Sequence, residues 1–415
     1  MLVMNDTSLY ATILGVSAPW KVTSVTPALD EGEIVVRVEA PSSMKLACPE
    51  CQTRCPRHDH RMRRWRHLPT CQYRTILEVE VPRVSCAEHG VHQVPVPWAE
   101  ANSAFTALLE ALVISWLKEA SVSAVAELMD LTWDQVDGIM QRAVRRGLAR
   151  RRELEPERIG VDETSFQKRH EYVTVVTDLD TKNVLYVADK RTKDSLQGFF
   201  DELEPADLLR LKVISMDMWP AYISVVAENV HDAEKKTCFD KFHVAKYLGD
   251  AVDKVRRQEQ REQLKTGDRS LVGTKYTWLR NPENMEADST AFFERMKRVA
   301  LRTARAWALK EQAMCLWSYA SRGWARKAWK AWISWALRSR LEPMKRVARM
   351  VRSHLEGIIN AIVLKATNAA SESINARIQR VKRMACGFRN RERFRSAIYF
   401  HLGGLELCPV THTRS

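Results

Sequence analysis

Nowhere in the 415 residues does an apolar run approach 18 positions, so no membrane-spanning helix is expected. The opening MLVMNDTSLYATILG lacks a basic start followed by an apolar stretch, which argues against a secretory signal and leads us to expect a cytoplasmic protein. In a reducing compartment nine cysteines are not a disulfide framework. Five of the nine lie between Cys48 and Cys86, so metal binding is the first role to test. Acidic residues are in short supply: 51 Asp and Glu face 65 Lys and Arg, a formal net charge of +14. Such an excess favours an anionic partner, nucleic acid first among them.

The cations are clustered. Arg54, Arg57, Arg61, Arg63, Arg64 and Arg66 form one group, Arg142, Arg145, Arg146, Arg150, Arg151 and Arg152 a second, and the stretch Lys365 to Arg395 a third. Clusters on separate segments suggest a long binding track. Beside the first group, CPEC places Cys48 and Cys51 two residues apart, and CAEH repeats that gap with Cys86 and His89. The run between them, YRTILEVEVPRV, alternates like a strand. A tetrahedral zinc needs four soft or borderline ligands on two rigid loops, and a two-residue gap lets both ligands of a loop reach one ion. We expect a zinc ribbon with a structural Zn²⁺ on Cys48, Cys51, Cys86 and His89, while Cys55 or Cys71 can stand in for His89. A closed site of this kind implies no catalysis.

Three helical segments follow: FTALLEALVISWLKEA, SVSAVAELM and TWDQVDGIMQRAVRRGLARRR, with Ser121 and Thr132 as N-caps. The shape is a helix-turn-helix, and Arg142, Arg145 and Arg146 on its last helix are expected on DNA phosphates. A plain three-helix bundle with a solvated basic edge is the competing reading. From Arg158 the texture turns to strands, RIGVDETSF, EYVTVVTDLD and NVLYVADKR, then a helix, then LKVISMDMW and another helix. That order is the one a ribonuclease H-like α/β core uses, a mixed sheet flanked by helices. Residues 241 to 345 read as an all-helical insertion in which six tryptophans fall in a short span, Trp307, Trp317, Trp324, Trp329, Trp332 and Trp335, and are expected to pack between helices. Exposed members would stack on unpaired bases.

Asp162 and Asp217 end the apolar strand motifs IGVD and VISMD. Carboxylates gathered by a fold can hold Mg²⁺, and a pair of such ions can serve an in-line phosphodiester displacement. Glu372 supplies a third. On a helix from Ser371 to Arg383 it shares a stripe with Asn375, Gln379 and Arg383, while Ile374, Ile378 and Val381 form the opposite, anchoring side. Glu163 adjoins Asp162, and because a strand alternates its sides only one of the two faces the metals; Asp162 is the expected one.

Zinc ribbon, helix-turn-helix, GVDETSF, SMDMWPAY, CFDKFHVAKYL and NAASESINARIQRVKRMACGFRNRERFR, in that order, resemble the ISL3 family of bacterial insertion-sequence transposases over nearly the whole chain. The resemblance implies a DDE-type transposase that binds terminal inverted repeats and target DNA, works as a homo-oligomer, and uses Mg²⁺ or Mn²⁺ held by Asp162, Asp217 and Glu372. Intervals of 55 and 155 residues fit if the insertion fills the second. Asp240 and His243 match an Asp-x-x-His signature and take a supporting catalytic role. Arg377, Arg380, Lys382, Arg383 and Arg389 read as phosphate contacts. The domains expected are a zinc ribbon over 1–98, a helix-turn-helix over 99–152, a catalytic core over 153–240 and 346–415, and the insertion over 241–345. A regulator that kept the fold without chemistry, or a nuclease that cuts without joining, are the alternatives.

Overall fold

In the computed structural model, residues 6–151, 154–167, 171–280, 287–299, 301–366 and 369–410 are described; within these, the side chains at 287–290, 292, 299, 369, 370 and 372 lie outside the description. Two compact units form: Met1–Arg151 with Tyr399–His401 and Leu405–Ser415, and Arg152–Ile398 with Leu402–Gly404.

After a helix over Asp6–Ile13, the first unit builds a sheet of β1 (Lys21–Ala28), β2 (Glu33–Glu39), β3 (Arg57–Thr70), β4 (Tyr73–Cys86) and β5 (Gly90–Gln93). Its order is β1-β2-β4-β3, with β5 also on β4. A long hairpin joins β3 to β4 through Cys71 and Gln72, both at positive φ (49° and 70°), as a two-residue turn matching strand twist requires. Trp65, Leu77, Val79 and Val81 point inward, where Trp98 meets Trp65 and Trp20 edge to face at 5.8 and 5.0 Å.

Strand β3 coincides with most of the first arginine cluster, and side chains from neighbouring elements answer much of that charge. Arg63 donates to Gln93, Arg64 pairs with Glu33 at 3.2 Å, and Arg66 lies 3.8 Å from Asp130. The cluster is therefore not a continuous free track, although Arg54 and Arg61 stay exposed.

The helices Ala107–Leu117, Val122–Leu128 and Trp133–Arg150 follow. Thr106, Ser121 and Thr132 cap them, each side chain accepting from the amide three residues on. Val113, Ile114, Val125, Val136, Ile139 and Met140 form the core, joined by Phe400 and Leu407 from the chain's end. Here two expectations are corrected. Arg146 is buried, with its guanidinium on Glu100 (2.6 Å twice), Glu110 (2.9 Å) and the Leu407 carbonyl. Arg142 reaches Glu110 at 2.7 Å. Both turn inward because Glu110, itself 1 % exposed, needs cationic partners in the bundle. Arg145 remains on the exposed face.

The second unit holds a mixed sheet of β6 (Arg158–Gln167), β7 (Glu171–Asp178), β8 (Val184–Asp189), β9 (Val213–Met216) and β10 (Thr237–Phe239), in the order β10-β9-β6-β7-β8. β6, β7 and β8 form an antiparallel meander, whereas β9 and β10 run parallel to β6. Phe199 of the Lys193–Asp201 helix and Tyr222 and Val225 of the Pro220–Asn229 helix enter its core. Past β10 no further strand occurs among the described residues. The helical stretch packs on aliphatic residues such as Leu248, Val252 and Leu309 together with some of its aromatics. Trp329 and Trp332 are buried and Trp307 and Trp317 half-buried, but Trp324 (62 %) and Trp335 (40 %) are exposed. No described helix is long and apolar enough to cross a membrane.

Candidate active site and metal centre

The parallel register aligns Val161 with Met216 and Met216 with Phe239. One position further along each strand stand Asp162, Asp217 and Asp240, so three aspartates line up across β6, β9 and β10 at strand spacing, about 4.8 Å per step. Asp162 is not at a strand end as the IGVD motif suggests: β6 continues to Gln167 because β7 goes on pairing with it after β9 has stopped. Asp240 caps the Lys241–Lys265 helix by accepting from the Phe242 amide through Oδ1, and its Oδ2 accepts from His243 Nδ1 at 3.1 Å. The other ring nitrogen of His243 lies 3.9 Å from Asp217. That bond to Asp240 holds the imidazole above its ordinary pKa despite partial burial.

Glu163 does not leave the neighbourhood, as strand alternation alone suggests. Its carboxylate meets Arg191 Nη1 at 2.8 Å, and the same guanidinium reaches Asp217 at 3.1 Å while lying 4.2 Å from the centre of the Trp219 ring. Burial pushes Asp162 up to about 6 and Glu163 up to about 7, with neighbouring carboxylates adding to the effect. Arg191 escapes sequence reasoning because nothing local separates it from Lys190 and Lys193 in ADKRTKD.

The Ala369–Met384 helix runs along β6. Asn375 donates to Asp162 Oδ2 (2.7 Å), Gln379 to Thr164 Oγ1 (3.0 Å) and Lys382 to the Ser165 carbonyl (2.9 Å). At the helix start a Cβ on Gly160 would come within 2.5 Å of Ser371 Oγ, so glycine permits the close approach. Four helix residues advance about 6.0 Å and two strand residues about 6.6 Å, which keeps the pairs in step. Ile374, Ile378 and Val381 are buried. Glu372 falls on this helix, one residue past Ser371; its side chain lies outside the described residues. Lys382 acts as a helix anchor through Ser165, whereas Arg377, Arg380, Arg383 and Arg389 are exposed. Beyond the helix, Phe388 and Phe394 stack toward Phe166, and Gln167 donates to the Phe388 carbonyl, fixing the GFRN segment to the end of β6.

In the first unit Cys48, Cys51, Cys86 and His89 bring their ligand atoms within 4.8 Å of one another, the one such group of His, Cys, Asp or Glu among the described residues. Cys51 and Cys86 sulfurs are 3.7 Å apart, and His89 Nδ1 is 3.6 Å from Cys86 and 3.9 Å from Cys48. A tetrahedron with zinc–sulfur bonds of about 2.3 Å has edges of about 3.8 Å, so the donor set fits zinc. Backbone amides of His89 and Glu88, with the His89 ring, pull the Cys86 thiol down to about 6, favouring the thiolate a metal needs. His89 is thus the fourth donor of the group. Cys55 instead donates to the Thr53 carbonyl, and Cys71 sits exposed at the hairpin turn.

A ribbon with a four-donor metal cluster, a capped helical trio and an aspartate row on a mixed sheet follow one another along the chain. Family models agree over each part. Residues 159–398 match one described as a transposase, the DDE domain of ISL3; residues 94–144 match the helix-turn-helix domain of transposase family ISL3; residues 45–89 match the zinc-finger of transposase IS204/IS1001/IS1096/IS1165. The chain belongs to the ISL3 family of transposases. It is 27% identical over 370 residues to the transposase for insertion sequence element IS1001 of Bordetella parapertussis, covering 88% of this chain and 91% of the relative. To the transposase for IS1557 of Mycobacterium tuberculosis it is 29% identical over 420 residues, covering 93% of each.

Proposed function

We propose that this transposase binds the terminal inverted repeats of its element through the ribbon and helix-turn-helix, and cuts and rejoins the ends in a ribonuclease H-like core whose metal ligands are Asp162, Asp217 and Glu372. The observation that carries this reading is the aspartate row on β6, β9 and β10, with the Glu372 helix laid against Asp162 through Asn375. The strand order, an antiparallel meander with two further strands parallel to its first, supports the ribonuclease H-like assignment. Four carboxylates, Asp162, Glu163, Asp217 and Asp240, outnumber the cations Arg191 and His243 among them, and such hard oxygen ligands suit Mg²⁺ or Mn²⁺. Bound divalent ions supply Lewis acidity at the scissile phosphate and a lowered pKa for the attacking hydroxyl.

The chain's own groups do the rest. Asn375 orients the Asp162 carboxylate, and Asp240 fixes the ring of His243 toward Asp217, where it positions the phosphate. The exposed Arg377, Arg380, Arg383 and Arg389 guide a strand past the site, and Arg145 contacts phosphate in the helix-turn-helix. Water serves as the nucleophile for cutting and the freed 3′-hydroxyl for joining, so no protein nucleophile is needed. We assign the ribbon to 1–98, the helix-turn-helix to 99–152, the core to 153–240 and 346–398, and the helical insertion to 241–345; the core is not carried on to 415, because Phe400 and Leu407 pack with the helix-turn-helix. Holding two ends at once calls for a homo-oligomer on DNA, in the cytoplasm at the nucleoid. Strand cleavage of end-bearing DNA in Mg²⁺ tests this: Asp217→Ala and Glu372→Ala are each expected to abolish it, and wild-type cleavage by either overturns the mechanism. A strand-transfer product in the same reaction separates a transposase site from a nuclease that only cuts.

A further inference from the structure

Between the Lys241–Lys265 and Glu342–Ser353 helices lies a groove of 690 Å³. Its floor is apolar, with Ala251 and Val347 both buried, and its walls are charged. Lys254, Arg257 and Arg261 line one wall from successive turns of the first helix, and Arg346 faces them from the second. Two carboxylates also line it, Asp250 and Glu342, but Glu342 already pairs with Arg349 at 2.9 Å. Arg257 is engaged by Asp253 at 3.0 Å, whereas Lys254, Arg261 and Arg346 have no acidic partner within 4.0 Å among the described residues. The groove thus presents three exposed cations with no close ion-pair partner over an apolar floor.

One end of this groove is tied to the candidate active site. Tyr247, which lines it, is one helical turn beyond His243, whose ring lies 3.9 Å from Asp217. Burial, and then the negative charge of Asp217, holds the Tyr247 hydroxyl above its ordinary pKa, a sign that the carboxylates' field reaches that end. From Tyr247 to Arg261 the helix advances about 21 Å. At about 3.4 Å per nucleotide along one strand of a duplex, that spans about six phosphates.

We propose that this groove is a second DNA track, in which Lys254, Arg261 and Arg346 hold the sugar-phosphate backbone of the strand that leads away from the scissile phosphate. The assignment rests on the reading of the aspartate row as the cleavage site. Anions carried at regular spacing, with a sugar face between them, suit cations in a line above an apolar floor. The bases would be left outward, so the groove adds affinity without sequence preference.

The experiment compares full-length protein with the triple variant Lys254→Gln, Arg261→Gln, Arg346→Gln, and with a control triple, Lys212→Gln, Lys235→Gln, Lys330→Gln, which removes the same charge from exposed positions elsewhere. Fluorescence anisotropy on a labelled duplex carrying one element end is read across a salt series. The groove variant is expected to bind ~10-fold more weakly at about 0.1 M salt and to lose about 2 to 3 from the slope of log K against log salt, three phosphate contacts at about 0.7 to 0.9 each. The control triple is expected to lose less than about 1. A groove-variant slope equal to that of the wild type or of the control overturns the proposal. Mg²⁺-dependent cleavage by the wild type is followed in parallel: its absence counts against the active-site reading, while the salt slopes still decide whether the groove binds DNA.

Discussion

Adjacent arginines in one basic run are expected to behave in opposite ways. Arg146 is buried and pairs with two carboxylates, one of which, Glu110, is 1 % exposed; Arg145 next to it faces solvent. Replacing Arg146 with Met keeps most of the side-chain volume but removes the donor to Glu110 Oε2 and to the Leu407 carbonyl, leaving the Glu110 carboxylate with Arg142 and Ser103 on its other oxygen. Removing one member of a buried ion pair costs about 3 to 5 kcal/mol. The opening free energy of the Trp133–Arg150 helix should fall by that amount, and its slowest amides should exchange with solvent about 10² to 10⁴ times faster. Arg145→Met should stay within about 0.5 kcal/mol of the parent while losing phosphate affinity. Hydrogen exchange by mass spectrometry on the zinc-loaded full chain reads both. Exchange in that helix unchanged by Arg146→Met would refute the buried-pair account.

Two further outcomes are expected. Asn375→Ala removes the hydrogen bond that orients Asp162 and should weaken Mn²⁺ binding by about 10- to 100-fold with the helix still docked; calorimetric titration giving the parent's Kd would show that the bond plays no part in metal binding. His67 is buried against Thr106 and its pKa is driven down to about 4 by that burial, so the unfolded chain takes up its proton near 6.5 and the folded one only near 4. Between those limits the unfolded state binds more protons, and stability present in full above about pH 6.5 declines toward pH 4 by about 3 kcal/mol. Urea midpoints of His67→Gln should therefore fall less steeply on acidification than the parent's, and parallel curves would exclude His67 as the source.

What the sequence makes legible is what chemistry keeps local. The gaps in Cys48-x-x-Cys51 and Cys86-x-x-His89 are legible because two ligands on one turn need that spacing, and Ser121 and Thr132 are legible because an N-cap must sit just ahead of its helix. The stripe of Ile374, Ile378 and Val381 is legible from helical period alone. Partners distant in sequence are not. Arg146 and Arg64 look like phosphate ligands until Glu110 and Glu33, 36 and 31 residues away, are seen beside them. Strand β3 hides behind its arginines because its inward positions, such as Trp65 and His67, are outnumbered by charged neighbours that lie on the other side. Arg191 is invisible for the same reason: its meaning comes from Glu163 and Asp217, which only the sheet brings to it.

The stepwise match between the Ala369–Met384 helix and β6 has a consequence for how such a chain can change over time. Ser371 sits over Gly160, Asn375 over Asp162 and Gln379 over Thr164, so the strand works as a ruler on which the helix is indexed afresh after the long helical excursion that precedes it. The length of that excursion is then of no concern to the site, and loops within it, such as the turn after Lys265, are free to grow or shrink. A single residue gained or lost between Ser371 and Gln379 is another matter: it turns everything beyond it by about 100° and takes the index marks off the ruler.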